Sequence, residues 1–422
     1  MSEAHQVPIF IQTAFPEQPD LDNWRQIGEQ EARVVHDMTL NNELSGGTPT
    51  VRDFEARWRA WTGHRFAITT FNGSSALYCA YFGLGVGPGD EVICPTYTWI
   101  CTIAPALFLG ARPVFVDSDP ETLQIDCDDV RRKISERTRA IVAVHLWGNV
   151  CDMEHLMNIS RESGVPVVED CSHAHGASFK DRPVGRYGQV AAWSLQGSKA
   201  VSAGEGGVLA TDDNEIFERA CLAGQVNRMG GMDLSTPKYA DLQPLGLGMK
   251  FRAHPLGIGI AGVQLDKLDE LNRRRQSYVE EVEKGLADIP GCRAVKVTPG
   301  AERGGYYAFP MFYDGVEKGD SGSESASTRF IEVLRGQNLS VSRSPYGLLH
   351  GLKIFADGYD LFTRNRGPLC GDYPGYAEGD FPVIEDAFRR LIFLPMLSDP
   401  ISGAAQIVLD RIRRASEKAA AL

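Results

Sequence analysis

The chain has 422 residues, of which 43% are hydrophobic and 23% are charged, and its formal net charge at pH 7 is −12. At roughly 100–200 residues per domain this length allows two or three globular domains, and the composition excludes disordered, collagen-like and coiled-coil proteins. An acidic balance without a cluster of basic residues argues against nucleic acid as a partner.

No targeting or membrane segment is predicted. The longest apolar stretches, such as residues 103–111, are far shorter than the roughly 18 residues that suggest a membrane span. The N-terminus lacks the basic region and apolar core of a secretory signal. Nine scattered cysteines without a C-x-x-C pair predict free thiols rather than a disulfide framework or a zinc site. We therefore expect a cytoplasmic protein without a membrane partner.

The first half of the chain predicts a helix and then an α/β domain. A helix beginning near Thr50 would carry Phe54, Trp58 and Trp61 on one face. After it, short apolar runs alternate with helical stretches over residues 65–213, which is typical of a mainly parallel central sheet. The strand candidates are RFAITT, EVICP, ARPVFVD, AIVAVHL, VPVVED, QVAAWSL and GGVLATD. Because ligands bind at the carboxyl ends of strands in such sheets, site residues are expected directly after these runs.

The second half predicts a smaller domain. Residues from Gln264 to about Ile289 form a long, charged helical stretch that would lead into it. We expect a large domain over residues 1–265 and a small C-terminal α+β domain over residues 266–422. The elements predicted in the small domain are strands at residues 306–313 and 339–342, a surface loop at residues 316–327 and a closing helix at residues 400–421.

An acid and a lysine follow two strand candidates of the same sheet. VPVVED ends in Asp170, and Lys199 follows QVAAWSL in a turn rich in Ser and Gly. A lysine among small residues at a strand end can lose its proton by desolvation, and a neutral amine can form a Schiff base with an aldehyde cofactor. Pyridoxal phosphate requires such a lysine and also a carboxylate against its pyridine nitrogen. Taken singly, Lys199 could be a surface charge and Asp170 a helix cap.

A phosphate site is predicted upstream of this pair. The strand RFAITT runs through Asn72 into Gly73, Ser74 and Ser75, and a helical stretch follows. Amides and hydroxyls at the start of a helix favour an anion, and so does the positive end of the helix dipole. The alternative is an ordinary serine N-cap.

Ring-bearing side chains are predicted at the same edge. Tyr97 and Trp99 follow the strand EVIC, where a flat ring could stack on a pyridine ring or pack in the core. His173 and His175 follow Asp170, and they could contact a ring oxygen or satisfy backbone groups. No spacing of His, Cys and Asp indicates a metal site.

These motifs together resemble a known family. EDCSHAHGA and SLQGSKAVSAGEGG, preceded by FNGSSAL and PTYTW, are similar to the DegT/DnrJ/StrS family of pyridoxal-phosphate sugar aminotransferases. The similarity extends over nearly the whole chain and includes VHLWGNVCDM and FPVIEDAFRRLIFLPM. The resemblance implies the fold type I of these transferases, with a large, mainly parallel seven-stranded domain and a smaller α+β domain. It also implies a homodimer with the cofactor site at its interface.

The resemblance assigns roles to individual residues. Lys199 would form the Schiff base with the cofactor, and Asp170 would pair with the pyridinium nitrogen. Trp99 would stack on the ring, and His173 would lie near the ring hydroxyl. The residues implied around the phosphate are Gly73, Ser74, Ser75 and Ser194. The predicted catalytic residues are Lys199, Asp170 and His173.

Two positions bear on the reaction and on the dimer. Family members that act as dehydratases have a histidine in place of Lys199, so the lysine favours amino transfer. In LGLGMKFRAHP, Lys250 stands where the family usually has an Asn that reaches the neighbouring subunit's cofactor. A lysine there could contact the phosphate by charge.

The sequences of the SLQGSK and SAGEGG motifs are most similar to the aminocyclitol branch of the family, which includes scyllo-inosose aminotransferases. We expect transfer of an amino group from Glu or Gln to a ketone on a cyclitol or keto-sugar, in amino-sugar or antibiotic biosynthesis. Two alternatives stay open: a lyase or dehydratase of the aminohydroxybenzoate synthase type, and a non-catalytic regulator that binds pyridoxal phosphate.

Overall fold

The computed structural model of the chain describes residues 15–228, 234–243, 245–315 and 323–420. Its helices are α1 Glu29–Leu40, α2 Pro49–Thr62, α3 Gly73–Gly83, α4 Ala104–Phe108, α5 Cys127–Lys133, α6 Met153–Ser163, α7 Asn214–Gly224, α8 Pro237–Ala240, α9 Pro255–Leu286, α10 Ser323–Gly336, α11 Lys353–Ala356, α12 Pro382–Arg390 and α13 Ala404–Ala420. Its strands are β1 Phe66–Thr70, β2 Glu91–Pro95, β3 Arg112–Val116, β4 Thr138–Val144, β5 Val167–Asp170, β6 Ser178–Phe179, β7 Arg182–Pro183, β8 Val190–Ser194, β9 Gly207–Thr211, β10 Cys292–Ala294, β11 Ala301–Glu302, β12 Phe309–Tyr313 and β13 Leu391–Leu394.

The seven strand candidates form one seven-stranded sheet, in the order β1-β9-β8-β5-β4-β2-β3. Strands β3, β2, β4, β5 and β8 pair in parallel, whereas β9 runs antiparallel to both β1 and β8. The predicted α/β class and the large, mainly parallel seven-stranded sheet are therefore confirmed. In this arrangement β1, β2, β5 and β8 all end at the same edge of the sheet.

Apolar side chains cover both faces of this sheet. In β4, Ala140, Val142 and Val144 belong to one buried cluster, and Ile141 and Ala143 belong to the other. This alternation follows from the two-residue period of a strand, and burial on both faces explains the nearly continuous apolar runs in the sequence. Helices α3 and α7 contribute to the first cluster, and α2, α6 and the first half of α9 contribute to the second.

Helix α9 connects the large sheet to the C-terminal part of the chain. It has 32 residues and begins at Pro255 rather than at Gln264, because proline suits the first turn of a helix, where its missing N–H is not needed. Ile258 packs in the core of the large sheet, whereas Val282 packs in a third apolar cluster. The predicted division between residues 265 and 266 falls inside this helix, and the assignment of two domains stays a prediction.

A second sheet, in the order β10-β12-β13, is antiparallel and packs with α10 and α13 around the third cluster. The predicted strand at residues 339–342 is reduced to one bridge between Ser342 and Phe393. Residues 316–322 of the predicted loop lie outside the described residues, and the loop prediction is wrong for residues 323–327, which begin α10. Phe330 and Leu334 of that helix are buried, so tertiary packing outweighs the loop-like composition.

Two sequence-based expectations concern the chain as a whole. All nine cysteines are free thiols, as predicted. None of the helices in the described ranges is long and apolar enough to cross a membrane.

Candidate active site

A cavity of about 430 Å³ lies where β1, β2, β5 and β8 end. It is lined by residues that follow each of these strands and by residues 307, 345 and 346 from the C-terminal part of the chain. The predicted site residues that line it are Gly73, Ser74, Trp99, Asp170, His173, Ser194 and Lys199. Ser75 and Lys250 do not contribute to its wall.

Asp170 presents a buried carboxylate to the cavity. It is the last residue of β5 and is 5% exposed. Its Oδ2 atom accepts a hydrogen bond from Thr102 Oγ1 at 2.9 Å, and its Oδ1 atom accepts one from the Ser172 amide at 3.1 Å. A carboxylate has about four lone-pair sites, so Asp170 is fixed in orientation and keeps acceptor capacity for a ligand.

Lys199 reaches the same cavity from the turn after β8. Its side chain is 7% exposed, and burial lowers the pKa of its amine, although Tyr307 and Asp170 oppose this shift. The Nζ atom lies 3.4 Å from the ring centroid of Tyr307. Burial favours the neutral amine that a lysine needs to react with an aldehyde.

The start of α3 forms the third part of the site. The Asn72 side chain accepts a hydrogen bond from the Ser75 amide and caps the helix. No residue in the described ranges accepts a hydrogen bond from the amide of Gly73 or Ser74. A Cβ atom on Gly73 would lie 2.8 Å from the Ser194 Cβ, so glycine allows the helix to approach the end of β8. Two free amides and two serine hydroxyls therefore meet at the positive end of the helix dipole.

Ser75 has a different role from the one implied by its motif. Its hydroxyl lies 2.8 Å from the Asn72 carbonyl oxygen and 3.2 Å from the Asn72 amide. Together with the Asn72 side chain this completes a capping box, which leaves neither the amide nor the hydroxyl of Ser75 directed into the cavity. Ser75 does not line the cavity, and its implied contact with the phosphate stays a prediction.

His173 lies in a stack of aromatic rings beside the cavity. Its ring stacks on Tyr307 at 4.1 Å and on Trp147 at 5.2 Å between centroids. The Trp147 amide donates to His173 Nδ1 at 3.4 Å, and His173 Nε2 lies 3.4 Å from the Tyr346 hydroxyl. Burial lowers the pKa of His173 well below its usual range, and the nearby Lys199 lowers it further. A neutral His173 that accepts at Nδ1 can donate from Nε2 into the site.

The other predicted ring-bearing residues divide between the cavity and the core. Trp99 lines the cavity, is 37% exposed and contacts the Tyr346 ring at 5.1 Å. Tyr97 is fully buried, and its hydroxyl bonds to Ser344 Oγ at 2.9 Å, so it belongs to the core. His175 is buried behind the site, where burial lowers its pKa to about 3.

Lys250 is exposed and forms a backbone bridge with Gln225. It lies outside the cavity wall of the single chain. Its implied contact with the cofactor of a neighbouring subunit therefore stays a prediction.

Sequence reasoning did not identify Thr102, Tyr307 and Tyr346 as site residues. Thr102 follows the PTYTW motif by only three positions, so its place after β2 was an available signal. Tyr307 and Tyr346 reach the cavity from the C-terminal part of the chain. The order of residues along the sequence carries no local signal for such long-range contacts.

Glu169, the residue before Asp170, lies in a fully buried pocket of its own. Its carboxylate accepts hydrogen bonds from the amides of Gly185, Tyr187 and Gly188 at 2.6–2.7 Å and from His145 Nε2 at 3.1 Å. Burial raises its pKa, but these hydrogen bonds and the His145 ring outweigh burial, so the net pKa is lowered. Glu169, His145 and Cys171 lie close enough to hold a metal ion, but the hydrogen bonds already use the carboxylate, so the cluster is a structural anchor.

The arrangement fits one cofactor. A buried amine, a carboxylate with acceptor capacity and an anion site at a helix start match the aldehyde, the ring nitrogen and the phosphate of pyridoxal phosphate. The absence of a side chain at Gly73 lets the start of α3 approach Ser194 closely, so the helix amides and the Ser194 hydroxyl can face one anion together. The sheet order and these groups together define a pyridoxal-phosphate-dependent transferase of fold type I.

Comparison with known proteins identifies the family. Residues 25–413 match the DegT/DnrJ/EryC1/StrS aminotransferase family. The chain therefore belongs to this family and is a pyridoxal-phosphate-dependent aminotransferase, which confirms the resemblance seen in its motifs.

Individual relatives agree with this assignment. The L-glutamine:scyllo-inosose aminotransferase of Streptomyces griseus is 32% identical over 294 residues, which cover 68% of this chain and 69% of the relative. The GDP-perosamine synthase of Escherichia coli O157:H7 is 32% identical over 262 residues, which cover 62% of this chain and 69% of the relative. The crystal structure of 3-amino-5-hydroxybenzoic acid synthase has a TM-score of 0.79 at 25% identity, and the alignment covers 96% of this chain and all of that one.

Proposed function

We propose that this aminotransferase moves an amino group from Gln or Glu to a ketone on a cyclitol similar to scyllo-inosose, or on a keto-sugar. The observation that carries the proposal is the position of Lys199 and Asp170 in the wall of one cavity at the edge of the large sheet. We infer that the reaction serves aminocyclitol or amino-sugar biosynthesis, such as the assembly of an antibiotic.

In this proposal each residue of the pair handles one proton. When bound, pyridoxal phosphate supplies an aldehyde that takes up amino groups and a ring that accepts electrons. Lys199 Nζ, whose pKa is lowered by burial, would accept the proton from the α-carbon of the donor. Lys199 would pass that proton to the carbon that bore the aldehyde, and in the second half-reaction it would take a proton back from that carbon and deliver it to the acceptor carbon. The Asp170 carboxylate holds the ring nitrogen in its protonated form.

The remaining residues bind and orient. The amides of Gly73 and Ser74, with the hydroxyls of Ser74 and Ser194, would hold the phosphate. Trp99 would stack on the ring, and His173 Nε2 would donate to the ring hydroxyl. Because His173 stays neutral, it orients the ring without adding a positive charge beside Lys199.

The charges of the cavity favour a neutral acceptor. Lys199 is the only amine or guanidinium among the described residues that line the cavity. The carboxylates there are Asp170 and Glu205. The remaining ionisable groups are the Cys101 thiol, His173 and the tyrosine phenols. A nucleotide-linked sugar carries a diphosphate, which usually requires Arg or Lys partners. A polyhydroxylated ring instead matches the aromatic rings and hydroxyls of the wall. This supports a cyclitol over a nucleotide-linked sugar.

We also propose that the chain forms a homodimer that covers the mouth of the cavity. Leu245, Leu247 and Met249 are 65%, 53% and 47% exposed. They precede Phe251, whose ring contacts the exposed Phe71 beside the start of α3. Exposed apolar side chains that cluster next to a site indicate a protein interface. Lys250 lies within this surface, where it could reach a neighbouring subunit's phosphate.

The second candidate is a lyase of the aminohydroxybenzoate synthase type, which the fold similarity to that enzyme favours. The two functions differ in stoichiometry. An aminotransferase must convert one donor amino acid to its keto acid for each product amine, whereas a lyase need not. A non-catalytic regulator would bind the cofactor and convert no donor.

The test is a single-turnover experiment on enzyme loaded with pyridoxamine phosphate. We expect scyllo-inosose or a related keto-cyclitol to restore the aldehyde form of the cofactor with one equivalent of product amine, and Lys199→Ala to show no turnover. Preference for a nucleotide-linked keto-sugar would contradict the cyclitol assignment. Product formation without a keto acid from the donor would favour the lyase, and absence of the pyridoxamine form with any donor would favour the regulator.

A further inference from the structure

The amine of Lys199 lies against one aromatic face. Its Nζ atom is 3.4 Å from the ring centroid of Tyr307, well within the roughly 6 Å over which a ring attracts a cation. The ring itself is held in place, because it stacks on His173 at 4.1 Å and its hydroxyl lies 3.0 Å from Ser198 Oγ. Ser198 in turn donates to the side chain of Gln196 at 2.7 Å. The aromatic face is therefore a fixed part of the site.

Two opposing effects act on the proton of Lys199. Burial is the larger one and favours the neutral amine, while Tyr307 and Asp170 favour the ammonium. A ring face attracts a cation through its quadrupole and does not attract a neutral amine in this way. The Tyr307 hydroxyl favours the ammonium through its charge and a hydrogen bond, and the ring face at 3.4 Å adds a separate preference for the ammonium.

The interaction is mutual. Burial raises the pKa of Tyr307, but the Lys199 charge and hydrogen bonds with Ser198, Tyr346 and Lys199 outweigh it, so the net pKa is lowered. The protonation states of Tyr307 and Lys199 are therefore coupled, because each group shifts the pKa of the other. The pair forms without any other described side chain between its members.

We propose that the ring face of Tyr307 is a positioning element that holds the Lys199 amine while it carries a proton from one carbon to the other within each half-reaction. The inference rests on the proposed function, in which Lys199 is released from the cofactor and moves a proton. A freed lysine on a flexible four-carbon chain needs a defined resting place, and a fixed ring supplies one at low entropic cost. Tyr307 acts through Lys199 and does not itself exchange a proton with the substrate.

The test measures the protonation of Lys199 directly in enzyme loaded with pyridoxamine phosphate, where the lysine is free. Trace acetylation at a series of pH values, followed by peptide mass spectrometry, reports the fraction of neutral amine. The variants are Tyr307→Phe, which keeps the ring, and Tyr307→Leu and Tyr307→Met, which remove it. Lys133 is the reference lysine in the same digest. Its Nζ atom lies 4.6 Å from the ring centroid of Phe381, and it is far from Tyr307 in the sequence.

We expect Leu and Met to lower the pKa of the Lys199 amine by about 0.5–1.5, which corresponds to the usual strength of a cation–π contact. Tyr307→Phe should lower that pKa clearly less than Leu and Met do, because it keeps the face and loses only the hydroxyl. The acid limb of the pH profile of kcat should move down with Leu and Met and move clearly less with Phe. The labelling of Lys133 should be the same in all four proteins.

Two results would overturn the proposal. If Phe lowers the pKa of Lys199 as much as Leu and Met do, the hydroxyl and not the face is responsible. If neither Leu nor Met changes it, the contact has no influence on the proton. The labelling needs no substrate, so a failure of the proposed acceptor leaves this result interpretable. Retention of pyridoxamine phosphate and an unchanged far-ultraviolet circular dichroism spectrum confirm that each variant is folded.

Discussion

Glu169 and Asp170 are adjacent carboxylates on one strand, and they lie in opposite environments. Glu169 is fully buried and accepts three backbone amides and one imidazole N–H. Asp170 is nearly as buried but has one hydroxyl and one amide as partners, and it lines the cavity. Successive side chains of a strand point to opposite faces, which explains how neighbours can be so different. Burial alone therefore does not identify the functional acid, whereas incomplete hydrogen bonding beside a cavity does.

The largest effect should come from Glu169→Gln. Two N–H donors point at each oxygen of Glu169, so the amide NH₂ of glutamine would face two donors in either orientation. We expect the free energy of unfolding to fall by about 3–5 kcal/mol, as for the loss of a buried charge partner. Urea unfolding with saturating cofactor measures it. A stable but inactive variant would assign Glu169 to catalysis and contradict the comparison.

Asp170→Asn is the matched change at the neighbouring position. Asparagine can still accept from the Ser172 amide, and the Thr102 hydroxyl can turn to accept from its NH₂. We expect the free energy of unfolding to change by less than about 1 kcal/mol. The rate should nevertheless fall by about 10²–10³-fold in kcat, because the ring nitrogen loses its anion in a dry site. Normal kcat, measured from keto-acid release, would remove Asp170 from the mechanism.

His175 should make the stability of the protein depend on pH. Burial keeps His175 neutral with a pKa of about 3, whereas an unfolded histidine takes up a proton below about pH 6.5. The unfolded state then binds more protons than the folded state, so stability falls as the pH decreases below 6.5.

Between pH 6.5 and 5, His175 should account for a loss of about 2 kcal/mol in the free energy of unfolding. His175→Gln removes the titrating group, so the variant should lose about that much less than the parent protein over the same range. Urea unfolding of both proteins at the two pH values measures the difference. Equal losses in the two proteins would show that His175 is protonated in the folded state.

Thr102→Val should have the smallest effect. Valine has the shape of threonine but cannot donate to Asp170 Oδ2 or bond to Thr98 Oγ1, which lies 3.0 Å from the Thr102 hydroxyl. We expect a loss of about 1 kcal/mol in unfolding free energy and less than about a tenfold loss in kcat. A loss as large as that of Asp170→Asn would mean that the Asp170 carboxylate cannot act without the hydrogen bond from Thr102.

The sequence predicts the large sheet well, because each strand is an apolar run with a strand period and a turn signal. It also brings Lys199 and Asp170 to one edge, since parallel strands share their carboxyl ends. It does not tell which serine of GSS faces the cavity. The capping box that draws Ser75 toward Asn72 depends on the backbone at the helix start. The sequence alone does not distinguish Ser74 from Ser75 as the residue that faces the cavity.

The C-terminal contribution to the site is harder to predict. Tyr307 lies just before β12, and Tyr346 follows the single bridge at Ser342, so neither belongs to the strands of the large sheet. Their contacts with Lys199 and His173 depend on how the second sheet and the large sheet pack. That packing is a property of the whole fold.

The central claim is that the amine of Lys199 carries the cofactor in the cavity it shares with Asp170. Borohydride reduction of the resting holoenzyme, followed by peptide mass spectrometry, locates the cofactor-bearing lysine. We predict that the added mass is found on the peptide that contains Lys199, and that Lys199→Arg abolishes it. The same mass on another lysine, with Lys199 unmodified, would contradict the account.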